Sequence, residues 1–259
     1  MYATERQDQI ELLLATQSRV GVVELAERFD VTTETIRRDL DHLESVGALR
    51  RVHGGAVSRD RASTREPSLA ERLAHHGGAK AAIGARALDA LGPQFTGSVF
   101  LDAGTTTAAV AAALIPRLST ARIEVVTHSL ALGHTLAGVA GASLSFVGGR
   151  VRGLTAAAVG ADTVRAIAAL RPDVAFLGTN GVSASFGLST PDPDEAAVKR
   201  AIVESARRVV VVADAEKLGA ELLVGFAPLS DVDVLVTDAA PDAELASALS
   251  DADVEVWLA

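Results

Sequence analysis

A chain of 259 residues with 49% hydrophobic and only 3% aromatic content has enough apolar material for one large domain or two unequal ones, with a core of Val, Leu, Ile and Ala. It contains no cysteine, which excludes a disulfide framework and a thiolate metal site, and its six histidines (42, 53, 75, 76, 128 and 134) show no HExxH-type ligand spacing. Its net charge of −9 argues against a nucleic-acid coat on average but says nothing about local patches.

The first fourteen residues are charged and helical in pattern, which does not suit a signal peptide. No apolar run approaches the roughly 20 residues of a membrane helix. A soluble cytoplasmic protein is the expectation. A first helix is predicted over about 4–15, with Ile10, Leu13 and Leu14 on one face, and a second over about 22–29, with Val22, Leu25, Ala26 and Phe29 inward. After a tight turn, Thr32 is placed to cap a third helix whose Ile36, Leu40 and Leu43 fall at i, i+4 and i+7, and Gly47 is placed to end it.

Two short helices joined by a tight turn are the helix-turn-helix arrangement, whose second helix enters the major groove. Its outer face would present Thr33, Thr35, Arg37 and Arg38. Beyond Gly47, "ALRRVHGG" followed by "AVS" reads as a hairpin wing, with Arg50, Arg51, His53 and Gly54 placed to meet the DNA backbone or minor groove. Residues 1–60 as a whole carry 8 Arg against 11 acids, yet residues 45–59 hold three Arg and no acid, so the positive charge is local. A generic three-helix domain with solvated arginines is the plainer alternative.

Residues 58–79 are polar, with a proline and closing glycines, and read as a linker whose second half has a helical pattern. From Lys80 onward strands and helices alternate. Strands are predicted over 98–102, 122–127, 143–147, 173–178, 208–213, 232–237 and 253–258. Helices are predicted over 80–91, 106–115, 129–138, 160–170, 194–206 and 241–250. This is the pattern of βαβ units around a mostly parallel sheet. Three parts are therefore expected: a DNA-binding domain at 1–57, a linker at 58–79 and an effector domain at 80–259.

The most informative stretch of the large domain is "VFLDAGTTT" (99–107). A strand ends in Asp102, Gly104 allows the backbone to approach an anion, Thr105, Thr106 and Thr107 add hydroxyls, and the next helix points its positive end at the site. Other strand ends supply His128 and Ser129, then Gly148, Gly149, Arg150 and Arg152, then Gly178, Thr179, Asn180 and Gly181, and last Asp214, with Lys217 just beyond. Ligands of open α/β sheets bind outside the carboxyl ends of the strands, so these groups should converge on a phosphorylated ligand.

Residues 31–57, "VTTETIRRDLDHLESVGALRRVHGGAV", strongly resemble the signature of DeoR-family bacterial repressors. The resemblance implies that the stretch from Thr32 to Arg38 opens the recognition helix and that the stretch from Arg50 to Gly55 forms the wing. It continues through Lys80, L-D-A-G-T-T, F-L-G-T-N-G, G-L-S-T, E-A-A-V-K and D-x-x-K, which look like the DeoR effector domain. For that domain it implies a fold like ribose-5-phosphate isomerase, Rossmann-like α/β, and sugar-phosphate binding. Within the family, actinobacterial fructose-operon repressors are most similar, which implies fructose 1-phosphate as inducer, with fructose 6-phosphate next. The chain departs from the family pattern at Thr127-His128, where Thr-Asn is usual, and at Glu216-Lys217, where Ser or Thr usually precedes the lysine.

An aldose–ketose isomerase needs a carboxylate base beside an acid or electrophile. Isomerases of similar fold carry acids on the loop that is "GTNG" here, which has none. A lone Asp102 or Asp214 reads as a hydrogen-bond anchor, and Glu195 with Lys199 as a solvated pair or ligand-edge contacts. The expectation is a regulator without catalytic residues, metal or cofactor. It would bind operator DNA as a homo-oligomer, dimer or tetramer, and a sugar phosphate would release it.

Overall fold

The computed structural model describes residues 3–259 except 18, 47, 53, 59–62 and 65, and for 15–17, 19, 50, 57 and 58 it describes the backbone alone. The chain divides into two compact units, Met1–Arg65 and Glu66–Ala259.

In the first unit, α1 (Ala3–Gln17), α2 (Val22–Phe29) and α3 (Thr33–Ser45) pack around Ile10, Leu25, Ile36 and Leu40, all essentially inaccessible to solvent. The apolar spacing that predicted each helix is the spacing that fills this core. Between α2 and α3, Asp30 adopts a left-handed conformation (φ 52°) that closes α2 and turns the chain. Thr32 then caps α3, its hydroxyl accepting from the Thr35 amide at 3.2 Å. The predicted helix stop at Gly47 lies outside the described residues.

The wing is a three-stranded antiparallel sheet. Besides β2 (Leu49–Val52) and β3 (Gly55–Ser58) it contains β1 (Arg19–Gly21), which pairs with β3. Three residues between two helices are too few for periodicity to announce a strand. Asp39 of α3 is buried. It accepts from Arg6 Nε at 2.5 Å and Gln7 Nε2 at 3.0 Å, joining α3 to α1.

The second unit opens with α4 (Leu69–Ala74) and α5 (Gly77–Ala87). There follow β4 (Gly97–Leu101), α6 (Thr105–Leu118), β5 (Ile123–Thr127), α7 (Leu130–Ala137) and β6 (Ser143–Phe146). A hairpin of β7 (Arg150–Arg152) and β8 (Ala157–Val159) leads to α8 (Ala161–Ala168) and β9 (Val174–Gly178). Next come β10 (Gly181–Ser183), β11 (Gly187–Thr190), α9 (Pro193–Ser205), β12 (Val209–Val212) and β13 (Val224–Ala227). The unit ends with β14 (Val234–Thr237), α10 (Ala243–Asp251) and β15 (Glu255–Leu258).

Seven of these strands form one parallel sheet in the order β15-β14-β12-β9-β4-β5-β6. All seven predicted strands are in it. Its central strands read as continuous apolar runs because both faces are covered, with Phe100 and Leu177 packed on one side and Phe176, Leu101 and Val212 on the other. The strand order reverses between β4 and β9, so the carboxyl ends of these two neighbours form the topological switch point.

The antiparallel sheet β10-β11-β13 and the β7–β8 hairpin were not expected. Their strands have three or four residues each, and β13 pairs with a strand more than thirty positions earlier. Residues 66–79, read as the end of a linker, are part of this unit. Ser68 and Glu71 form a reciprocal capping box on α4, and the Leu69 amide donates to the Leu154 carbonyl at 3.2 Å. Among the described residues no helix is long and apolar enough to cross a membrane.

Candidate effector cleft and nucleic-acid interface

At the switch point the chain leaves β4 through Asp102, Ala103 and Gly104. Gly104 has φ +154°, and a β-carbon there would sit 3.3 Å from Thr107 Oγ1, so a side chain would be strained and crowded. The turn delivers the N-terminus of α6, a helix of fourteen residues with no side chain capping it, to a cleft. Free backbone N–H groups and the positive end of the helix dipole make that end attractive to an anion.

Of the residues singled out from sequence, Lys80, Gly104, Thr105, Thr106, Gly178, Thr179, Asn180, Asp214 and Lys217 all line this one cleft. They come from four separate segments of chain. Lys80 Nζ donates to the carbonyls of Arg72 and His75, at 2.5 and 2.6 Å, and so staples α4 to α5. Burial lowers the Lys80 pKa, a shift that Asp214 opposes. Thr179 Oγ1 donates to the Gly181 carbonyl, and Asn180 Oδ1 accepts from Thr190 Oγ1 at 3.0 Å, fixing the side-chain amide. Asp214 is buried, and its Oδ1 has no hydrogen-bond partner in the protein. An orphan acceptor of this kind on a cleft wall suits a ligand hydroxyl.

Other expected contacts lie elsewhere. Thr107 is fully buried and donates to the Gly104 carbonyl at 2.9 Å, so it shapes the turn from beneath. Ser129 caps α7. Gly148 accepts from Thr163 Oγ1, and a β-carbon on Gly149 would lie 1.9 Å from that hydroxyl, so the two glycines serve the packing of α8. Gly181 is needed where β10 passes the Ala220 carbonyl. Arg150 is exposed and pairs with Asp194. Arg152 is enclosed by three carboxylates: Glu66 at 2.7 Å, Asp192 at 3.0 Å and Glu195 at 3.1 Å. Glu216 faces His76 at 3.0 Å and is not on the cleft wall.

Asp102 and His128 lie under the cleft floor. Asp102 is wholly buried, and its carboxylate gathers the Lys199 ammonium at 2.5 Å, His128 Nε2 at 3.0 Å and the Gly178 amide at 3.0 Å. Burial pushes the carboxyl up, but the Lys199 charge and the His128 hydrogen bond and charge outweigh it and hold the group at about 2. Lys199 also donates to the Gly178 carbonyl at 2.9 Å, which ties the ends of β4 and β9 together through α9.

Glu195 and Lys199, expected as a solvated pair or ligand-edge contacts, are both buried on the cleft wall with different partners: Glu195 accepts from Thr155 and Arg152. Sequence reading also missed Arg72, a cleft residue with buried Nε and Nη2 that have no partner. Its only signal was a helical pattern inside a presumed linker. Burial and the Glu195 charge raise the Glu66 pKa, while Arg152 and Arg72 oppose the rise. Overall the wall carries four cations, Arg72, Lys80, Lys199 and Lys217, against the carboxylates Glu195 and Asp214.

In the first unit, Arg37 and Arg38 project from the outer face of α3, each 3.6 Å from Glu34 and more than half exposed. The hydroxyls of Thr32 and Thr35 bond to each other at 2.9 Å, which makes them part of the cap. Thr33 and Arg37 line a groove with Arg51 and Gly54 of the wing. Arg51 pairs with Asp41, and its amide donates to Glu44 at 2.7 Å, anchoring the wing to α3. Gly54 takes the positive φ of the hairpin turn. The Arg50 side chain and all of His53 lie outside the described residues.

A winged helix-turn-helix unit followed by an α/β unit with a basic cleft at its switch point defines a two-part DNA-binding sensor. The DeoR-like helix-turn-helix model matches residues 6–62, and the DeoR C-terminal sensor domain model matches residues 53–239. The HTH-type transcriptional regulator GlpR of Haloferax volcanii is 36% identical over 99% of this chain and 98% of its own. The glycerol-3-phosphate regulon repressor of Escherichia coli is 32% identical over the full length of both. An uncharacterised HTH-type regulator of Bacillus subtilis, FruR, is 34% identical over 92% of each. Among solved structures, ribose 5-phosphate isomerase from Plasmodium falciparum aligns with 54% of this chain and 52% of its own, at 13% identity and a TM-score of 0.40. The chain belongs to the DeoR family of DNA-binding transcriptional regulators.

Proposed function

We propose that this protein represses a sugar uptake and catabolism operon and leaves its operator when a sugar phosphate occupies the cleft. The observation that carries the reading is the cleft wall itself. Four cations and an uncapped helix N-terminus suit a phosphate, and the orphan acceptor of Asp214 suits a hydroxyl. Lys80 and Lys199 each spend two donors on protein acceptors, so each ammonium keeps one N–H for a ligand.

Fructose 1-phosphate is the favoured effector, from the likeness to fructose-operon repressors, and fructose 6-phosphate is next. The regulon named for the Escherichia coli relative adds glycerol 3-phosphate as a second reading. A homo-oligomer, dimer or tetramer, would set two α3 helices on half-sites roughly 34–36 Å apart. Thr33, Arg37 and Arg38, with Arg50 and His53 of the wing, would make the DNA contacts. A regulator fits better than an isomerase because the loop after β9 offers Thr179 and Asn180 where a base would stand.

The test is fluorescence anisotropy of labelled operator DNA with each of the three phosphates. The effector should lower DNA affinity by about 5–150-fold, the range of typical allosteric coupling. DNA affinity unchanged by all three would refute the inducer reading. Turnover of a fructose phosphate would favour the isomerase.

A further inference from the structure

Asn180 stands on the cleft wall, in the turn between β9 and β10, and β11 holds both its backbone and its side chain. Its backbone N–H donates to the Ser189 carbonyl at 3.2 Å. Beside it, Thr179 Oγ1 reaches the Gly181 and Ser189 carbonyls at 2.7 and 3.2 Å. The next residue of β11, Thr190, is fully buried. Its hydroxyl has one partner among the described residues, Asn180 Oδ1 at 3.0 Å.

Thr190 decides which way the amide faces. A hydroxyl proton shut away from water needs an acceptor, and an amide oxygen is one whereas an amide NH2 is not. Turning the amide over would leave that proton unpaired in the interior. With Oδ1 committed to Thr190, Nδ2 keeps both N–H groups, and neither has a protein acceptor among the described residues. Unlike Asp214 Oδ1, Nδ2 is not shut off from solvent. We propose that Thr190 is a positioning residue for effector binding: its hydroxyl holds the Asn180 amide with the NH2 group turned to the cleft, where it donates to an acceptor oxygen of the ligand.

The inference rests on the cleft being the effector site, and it gives that site a polarity. Strands β9 and β12 are neighbours in the sheet, about 4.8 Å apart. A donor beyond the end of β9 therefore stands one strand over from the orphan acceptor of Asp214, beyond the end of β12. A phosphorylated sugar, with acceptor oxygens and hydroxyls along one short chain, matches both.

Calorimetric titration of the full-length native protein, Thr190→Val and Thr190→Ser tests this. The probes are fructose 1-phosphate, fructose 6-phosphate, glycerol 3-phosphate and inorganic phosphate. Valine keeps the shape of threonine without its hydroxyl, and serine keeps the hydroxyl. Thr190→Val should bind the tightest sugar phosphate about 3–10-fold more weakly, the worth of one hydrogen bond, and Thr190→Ser should restore affinity to within about twofold. A loss shared by inorganic phosphate assigns the acceptor to the phosphate, and a loss confined to the sugar phosphates assigns it to the sugar. Packing alone would not move a second readout, the side-chain ¹H–¹⁵N amide pair of Asn180, which should shift when the native protein is saturated with that sugar phosphate. Native affinity in Thr190→Val, no recovery in Thr190→Ser, or an Asn180 pair unmoved at saturation each overturns the role of Thr190 and leaves the cleft assignment standing. Absence of binding of every probe by the native protein overturns the cleft assignment, and this inference with it. Should Thr190→Val not fold, the Asn180 pair of the native protein decides.

Discussion

Asp102 illustrates how one side chain can be decisive without touching a ligand. It is the only anion bonded to both Lys199 and His128 among the described residues, and it reaches the amide of Gly178 as well. Its carboxyl is held at about 2, below the ordinary 3.8. A depressed carboxyl contributes stability that is present above the unfolded value and lost as pH falls toward the folded one. The window therefore runs from about pH 4 down to about 2, and a shift of this size corresponds to roughly 2 kcal/mol. The Asp102→Asn variant should lose this acid dependence. It should also lose about 3–5 kcal/mol at neutral pH, because the buried Lys199 ammonium loses its counter-charge. Denaturant unfolding between pH 7 and 2 checks both, and an unchanged acid slope in the variant would contradict the assignment. From sequence Asp102 was legible as a strand-end acid. Its partners at 128 and 199 were not, since nothing local links positions 26 and 97 residues apart.

Elements were legible to the extent that their signals are local. The three helices of the first unit follow from apolar spacing, and the start of α3 follows from a Thr hydroxyl that finds the Thr35 amide. Thr32→Ala should lower the stability of that unit by about 1 kcal/mol, seen as a drop in the midpoint of its melting transition, while phosphate binding to the cleft stays the same. A melting midpoint equal to that of the native chain would show the cap to be dispensable. The element that misled is the segment 66–79. Its polar composition suits a linker, yet a capping box, the Glu66–Arg152 pair and the Lys80 staple hold it on the effector unit. Thus Arg72 became a cleft residue through tertiary contacts that composition does not encode.

At the scale of the whole molecule, a chain of net charge −9 must bind DNA through a local surface. Arg37 and Arg38, exposed on α3, lie opposite Glu34, so DNA phosphates and Glu34 compete for them. Replacing Arg37 by Ala should cost about 1–3 kcal/mol of operator affinity if it reads a base. If it neutralises a phosphate, the salt slope should fall by about 1 instead. Anisotropy titrations across a salt series separate the two. Operator binding that is unaffected in both strength and slope would remove Arg37 from the interface.

By itself, the sequence determined the two-part plan, the helix-turn-helix, the seven strands of the parallel sheet and the turn at Gly104. Each is written in periodicity, in a cap or in a glycine within a short window. Only the tertiary structure decided which charges face the cleft and which hold it together. Arg150 went to Asp194 and Arg152 to Glu66, Asp192 and Glu195, neither arginine lining the cleft, while Arg72, Glu195 and Lys199 joined its wall and His128 went beneath the floor. The reason is physical: a charged side chain leaves water only where distant segments supply its partners, and that supply is fixed when the sheet closes its order around β4 and β9.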